Sequence, residues 1–70
     1  MPQRKPEKTF YHKRRTLRFL AQGDTLAVRE EVRAAYTSGT WKSTIIRWLE
    51  PHKNTPAIKA ILDDLVRGTL

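Results

Sequence analysis

The sequence predicts a small all-α domain, a bundle of about four short helices. Over several segments, apolar residues recur every three or four positions, which is the repeat of an amphipathic helix. The residues that favour helix ends and turns stand at the borders of these segments, and they are Gly23, Gly39, Pro51, Pro56 and Gly68. No segment alternates apolar and polar residues as a half-buried strand would, and a chain of 70 residues makes one domain at most.

The N-terminal part of the chain divides into a charged arm and the first helix. Residues 1–8, MPQRKPEK, hold two prolines and mostly charge, so we expect a flexible basic arm followed by one domain over residues 9–70. The first helix is predicted to begin with Thr9 as its cap and to end at Gly23. One face is predicted to hold Phe10, Arg14, Leu17, Leu20 and Ala21, and the opposite face Lys13, Arg15 and Arg18.

The second helix is predicted over residues 25–37, with Asp24 or Thr25 as its cap and Gly39 just beyond its end. Its first half contains Glu30 and Glu31, where the helix dipole favours negative charge. Its apolar side is predicted to consist of Leu26, Val28, Val32, Ala35 and Tyr36.

Two further helices complete the predicted bundle. The third covers residues 41–50 and is stopped by Pro51. Its inner face is predicted to hold Trp41, Ile45, Trp48 and Leu49, at positions i, i+4, i+7 and i+8. The fourth begins at Pro56 with Thr55 as its cap and ends at Gly68. Its apolar stripe consists of Ile58, Ile61, Leu62, Leu65 and Val66.

The charge of the chain is strongly positive and unevenly distributed. Fourteen Lys and Arg residues oppose seven Asp and Glu, which gives a net charge of +7. Residues 1–18 hold seven of the cations against the single acid Glu7, whereas the remaining residues hold seven cations and six acids. This imbalance indicates a polyanionic partner, and the alternative is a solvated surface that aids solubility.

Several classes of protein are not expected from this composition. There is no cysteine, and His12 and His52 are too far apart in sequence to suggest a zinc site, so we expect no metal and no cofactor. No catalytic motif is present, and we expect no enzyme and no small-molecule ligand. No apolar run approaches the ~20 residues that span a bilayer, and no signal sequence is present. We therefore expect a cytoplasmic protein.

Residues 31–50, EVRAAYTSGTWKSTIIRWLE, place a glycine between two helical patterns. The segment resembles the helix-turn-helix of phage and plasmid repressors of the Cro and lambda-repressor type. In that family a small residue stands four positions before the turn glycine, and apolar residues stand six and nine positions after it; here these are Ala35, Gly39, Ile45 and Trp48. The residue after the glycine is usually aliphatic in the family and is Thr40 here. The following stretch, EPHKNTPAIKAILDDL, resembles the loop and apolar helix that come after the motif.

The resemblance implies a double-stranded DNA partner and a recognition helix, residues 41–50, in the major groove. Lys42 and Arg47 would bind guanine or phosphate, and Ser43 a base edge or a phosphate. The residues of this region assigned to DNA are Thr40, Trp41, Lys42, Ser43, Ile46 and Arg47. The basic N-terminal segment adds phosphate or minor-groove contacts from Arg4, Lys5, Lys13, Arg14, Arg15 and Arg18.

Some of these assignments have open alternatives. Ile46 either contacts a thymine methyl group or packs against the first or fourth helix. Trp41 either belongs to the core or stacks on an unpaired base, whereas Trp48 is expected in the core. For Lys42 and Arg47 the alternative is a solvated helix face.

The fourth helix is the predicted dimer element. Its residues Ile58, Ile61, Leu62, Leu65 and Val66 exceed what one small domain needs to cover, unless they simply close the core of the monomer. A two-fold dimer would place two recognition helices ~34–36 Å apart on a palindromic operator.

Three functions remain compatible with the sequence. The first is a small dimeric transcriptional repressor of phage or plasmid type, bound to the nucleoid of a bacterial or phage-infected cell. The second is an RNA-binding or architectural basic protein. The third is a protein-interaction or inhibitor module. Preference for duplex over single strands separates the first two, and protein binding without nucleic-acid affinity marks the third.

Overall fold

The all-α prediction is confirmed. A computed structural model describes the backbone of residues 7–70 and the side chains of residues 9–70. Within these residues the chain forms α1 (Glu7–Gln22), α2 (Thr25–Thr37), α3 (Lys42–Leu49) and α4 (Pro56–Arg67), and it contains no strand. A short 3-10 helix, Glu50–His52, follows α3 and includes the predicted helix stop Pro51. The first six residues of the predicted arm, with Arg4 and Lys5, lie outside the described part.

A two-residue link joins α1 and α2. Gly23 takes a left-handed φ of 74°, a conformation that glycine adopts without strain, and the chain reverses there. Asp24 is the cap of α2, because its Oδ1 accepts a hydrogen bond from the backbone N–H of Ala27 at 3.1 Å. So short a link makes α1 and α2 antiparallel neighbours, and they share the most extensive helix contact of the described chain.

The predicted inner face of α1 is wrong. The helix begins at Glu7, so Thr9 lies inside it rather than capping it. The buried positions are Thr9, His12 and Thr16, with Phe19 and Leu20 partly buried behind them. Phe10 is 56% exposed, and Leu17 is also partly exposed. Apolar spacing selected the wrong side because the buried positions hold polar residues, two of which meet polar partners: Thr9 lies beside Thr40, and His12 beside Glu31.

The core is built by the three later helices. Val28, Val32 and Ala35 of α2 enter it, as the 3.6-residue repeat predicts. Leu26 and Tyr36, predicted on the same side, are exposed instead, Leu26 by 77%. The remaining members of the core come from α3 and α4, and they are Ile45, Trp48, Leu49, Ile58, Ile61 and Leu65.

The structure corrects the predicted dimer stripe on α4. Ile58, Ile61 and Leu65 are buried inside the monomer, so they are not available to a second copy. Leu62 is partly buried, and Val66 is 62% exposed. Three residues of the stripe therefore close the monomer core, and two remain at the surface.

The ends of α4 are fixed by different means. Pro56 occupies the first turn, and Thr55 stands at the cap position without a side-chain hydrogen bond. Gly68, with φ of 79°, ends the helix. An ion pair of 3.0 Å between Arg29 and Asp64 ties α4 to α2, and its hydrogen bond holds the pKa of Asp64 below its usual value.

Candidate nucleic-acid interface

The candidate interface starts at the turn between α2 and α3. Thr37 ends α2, residues 38–41 form the turn, and Lys42 begins α3. Gly39 takes a φ of 104°, and the N–H of Thr40 donates to the carbonyl of Ala35 at 3.0 Å. The chain therefore bends at the glycine that the sequence indicates, and α3 is a separate helix.

Thr40 does not face the solvent, which corrects its assignment as a DNA contact. Its side chain is 6% exposed, and its hydroxyl lies 3.5 Å from the hydroxyl of Thr9 on α1. Thr40 therefore holds the turn against α1.

The N-terminal end of α3 presents three side chains. Trp41 precedes the first helical residue with extended backbone angles (φ −68°, ψ 144°) and is 78% exposed, so it is not part of the core. Ser43, two residues further along the chain, is also exposed. Lys42 is half-buried because its ammonium group lies 5.9 Å from the ring centre of Tyr36. This arrangement holds a cation at the start of α3 beside an exposed indole.

Arg47 is exposed and lies four residues after Ser43, so the two share one side of α3. Arg47 also borders a groove of about 330 Å³ between α1 and the segment formed by α3 and the 3-10 helix, which we call the α1–α3 groove. Its apolar lining comes from Phe10, Leu17, Trp48 and Pro51. Its cations are Lys13, Arg47 and, when protonated, His52, and none of the described residues that line it is acidic.

Ile46 faces α4, which corrects its assignment as a thymine contact. It is half-buried and packs against the core. It also lines a second depression of about 530 Å³ with Leu62 and Val66, which we call the α3–α4 groove. Ile46 therefore packs against the fourth helix, which is one of the alternatives that the sequence left open.

The cations of α1 divide into free and paired ones. Lys13, Arg14 and Arg18 are exposed, and Arg14 and Arg18 border a shallow depression of about 180 Å³ with Tyr11. Arg15 is different, because its Nε donates to Glu31 Oε1 at 3.0 Å and its guanidinium lies 5.4 Å from the ring centres of Tyr11 and Phe19. The hydrogen bond to Glu31 raises the pKa of Arg15. Arg15 is thus held in place by α2 and by two aromatic rings.

Sequence reasoning missed a buried polar cluster beneath this surface. Glu31 and His12 are both buried, and Glu31 Oε2 lies 2.5 Å from Nδ1 of His12. Burial by itself raises the pKa of Glu31, but the hydrogen bonds with His12 and Arg15 outweigh it and leave the pKa below its usual value. The signal was present, since Glu31 falls between Val28 and Val32 on the apolar side of α2.

The comparisons add no relative to this picture. No protein-family model, no curated protein and no solved structure matches the chain. Within the described residues, no group of His, Asp and Glu could hold a metal ion. Among the same residues, no helix has the length and apolar character needed to cross a bilayer.

Proposed function

We propose that the protein is a sequence-specific regulator that binds double-stranded DNA with α3 in the major groove. The observation that carries the proposal is the division of α3 into two sides within a chain of charge +7. Ile45, Trp48 and Leu49 are buried on one side. Ser43 and Arg47 are exposed on the other. A short helix anchored in this way offers hydrogen-bonding side chains to base edges at little cost in stability.

Individual residues have distinct roles in this proposal. Arg47 reads a guanine through its two terminal nitrogens, because a guanidinium matches the O6 and N7 acceptors. Ser43 binds a base edge or a phosphate. Lys42, held beside Tyr36, contacts a backbone phosphate. Lys13 and Arg47 border one groove, so α1 and α3 both contribute cations around it.

The exposed cations of α1 add affinity without sequence preference. Lys13, Arg14 and Arg18 are free to meet phosphates, since the structure gives none of them an acidic partner within the described residues. Each phosphate contact steepens the salt dependence of binding by a slope of about 0.9. Arg15 contributes its charge from a fixed position, because its carboxylate partner already orients it.

A homodimer is the second part of the proposal. The α3–α4 groove combines the apolar residues Ile46, Leu62 and Val66 with a rim of two acids and two lysines: Glu50, Asp63, Lys53 and Lys59. A rim that carries both signs allows self-complementary pairing under a two-fold axis, with cations of one copy placed opposite acids of the other. Such a dimer would bind a palindromic operator on the cytoplasmic nucleoid and repress by excluding RNA polymerase.

One observation favours a second candidate, binding of single-stranded DNA or RNA. Trp41 is 78% exposed and is followed by a lysine, and an indole of this kind provides a platform for an unpaired base. Duplex binding remains the better-supported function, because single-strand binders stack several successive bases and α3 exposes one aromatic ring.

The test is selection of bound duplexes from a random DNA pool at fixed salt concentration. Recovery of a palindromic motif supports both the regulator and the dimer, and a single half-site supports the regulator alone. The matched comparison uses single strands of the recovered sequence. Tighter binding to single strands than to the duplex would replace the first function with the second, and a pool without enrichment would overturn sequence-specific binding.

A further inference from the structure

The α1–α3 groove leaves apolar surface uncovered. Phe10 is more than half exposed and Leu17 is partly exposed on the side of α1 that the core does not use. In small soluble domains, apolar patches with a polar rim mark interaction sites. The groove volume of about 330 Å³ is at the small end of the ~300–1,000 Å³ range of ligand pockets. It therefore suits one or two side chains of a partner.

The charge of the groove selects an acidic partner. Lys13 on α1 and Arg47 on α3 lie at its border, and both are exposed. His52 adds a third positive charge when it is protonated. No acidic side chain lies among the described lining residues, so the charges that pair with Lys13 and Arg47 have to come from the occupant.

The shape of the lining favours a peptide over a nucleotide. Bases bind proteins by stacking on open aromatic faces. Phe10 is the one open phenyl or indole ring among the described lining residues, because Trp48 is only 7% exposed, and Leu17 and Pro51 make up the aliphatic part of the lining. An apolar peptide side chain gains more from such a surface than a polar base does.

We propose that the α1–α3 groove binds an acidic amphipathic segment of a partner protein. An apolar side chain of that segment packs on Phe10 and Leu17, and its carboxylates pair with Lys13 and Arg47. The groove gives this segment a place on the surface formed by α1 and α3 together, so binding depends on the folded domain.

This docking also regulates DNA binding, an inference that rests on the proposed function. Arg47 borders the groove and belongs to the side of α3 assigned to the major groove. A carboxylate paired with Arg47 removes that side chain from the DNA, and the charge of the segment repels phosphates. Acidic partner and duplex are therefore expected to compete.

The test uses a displayed library of random 12-residue peptides selected on the full-length protein. We expect enriched peptides to combine Leu, Phe or Trp with several carboxylates. Their affinity, measured by fluorescence anisotropy, falls at least tenfold in Lys13→Glu and in Phe10→Ser. Arg67→Glu, the same charge reversal at an exposed position of α4, leaves it unchanged. Circular dichroism verifies that each variant remains folded.

Other outcomes overturn the proposal. The proposal is wrong if the library gives no enrichment, if the enriched peptides lack carboxylates, or if their affinity is insensitive to Lys13→Glu. It is also wrong if no peptide binds the groove but an oligo(dT) strand binds the protein and loses affinity in Phe10→Ser. Competition is measured separately, with a selected duplex added to the labelled peptide. If peptide and duplex bind together, the regulatory link is wrong and the docking site stands. If no duplex binds the protein, the peptide result still decides the docking site.

Discussion

Glu31 keeps a negative charge inside the contact between α1 and α2. Its carboxylate lies between His12 and Arg15, and these two hydrogen bonds outweigh the effect of burial on its pKa. The folded-state pKa is therefore lower than the unfolded value of about 4.3. A group of this kind stabilises the fold fully above its unfolded pKa, and the stabilisation is lost as the pH falls towards the folded pKa.

The substitution Glu31→Gln is expected to lower the free energy of unfolding at neutral pH by about 1–3 kcal/mol, because a charge-assisted buried hydrogen bond is lost. The variant should also lose less stability than the wild type between about pH 5 and pH 3. Urea unfolding across that range measures both effects. Part of the acid dependence remains in the variant, since Asp64 is also held below its usual pKa.

The control for this variant is Glu30→Gln, which changes the exposed neighbouring acid. It should leave stability and its pH dependence close to those of the wild type. An equally steep acid dependence in Glu31→Gln and the wild type would contradict the role assigned to Glu31.

Arg47 is the residue expected to carry base preference. Arg47→Ala should cost about 1–3 kcal/mol on a selected duplex and relax the preference at one base position. Arg67→Ala, which removes the same charge from the last turn of α4, should change binding little. Anisotropy titrations on the selected duplex and on point-mutated duplexes measure the effect. A uniform loss over all duplexes would make Arg47 a phosphate contact.

The two tryptophans report on different environments. Trp41 is exposed and Trp48 is buried, so iodide should quench the fluorescence of Trp48→Phe, which retains Trp41, far more than that of Trp41→Phe. Addition of the selected duplex should change the emission of Trp41 and protect it from iodide, because Trp41 lies beside the proposed contact. Protection of Trp48 alone would contradict the placement of α3 on DNA.

At the scale of the elements, the turn between α2 and α3 depends on Gly39. Its φ of 104° is unfavourable for any residue with a Cβ atom, although an added Cβ would meet nothing within 4 Å. Gly39→Ala should therefore destabilise the fold by about 1–3 kcal/mol through backbone strain alone. We also expect weaker duplex binding, because relief of the strain shifts α3 relative to α2.

Gly68→Ala is the matched control for the turn. Gly68 also has a positive φ and open space around it, but it ends α4 rather than joining α2 to α3. Both variants should lose thermal stability, and only Gly39→Ala should lose additional affinity for the duplex. Equal affinity of the two folded variants would show that the turn does not set the position of α3.

The helices differ in how well the sequence alone predicts them. The predicted extent of α2, about residues 25–37, agrees with the structure, because Asp24 and Gly39 give strong local signals at its ends. The inner face of α1 was predicted wrongly, because its buried side is made of the polar residues Thr9, His12 and Thr16. Thr9 and His12 are buried against polar partners, and those partners lie 31 and 19 positions away along the chain.

The candidate site was predictable to a similar degree. Helical repeat and the glycine turn placed Ser43 and Arg47 at the surface and Ile45 and Trp48 in the core, and the structure agrees. The repeat could not show that Thr40 lies against α1, or that Ile46 packs towards α4. Both depend on which helix covers each flank of α3, and one-dimensional spacing contains no information on that.

At the scale of the whole molecule, the surface of α4 that remains exposed should set the oligomeric state. Val66→Glu is expected to weaken the proposed dimer at least tenfold, because a carboxylate replaces an exposed apolar side chain in the α3–α4 groove. Sedimentation equilibrium measures the monomer–dimer constant. Leu26→Glu, at a residue that is 77% exposed on α2, is the control and should leave it unchanged. A wild-type protein that stays monomeric at high concentration would contradict the dimer.

The division of α3 into an inner and an outer side has a consequence for evolution. Ile45, Trp48 and Leu49 commit three residues of the helix to the interior, whereas Trp41, Ser43 and Arg47 bear almost none of the packing. Mutation of the outer three is therefore tolerated by the scaffold. Under the proposed function, a lineage can change its DNA target through a few codons without first acquiring compensating changes elsewhere.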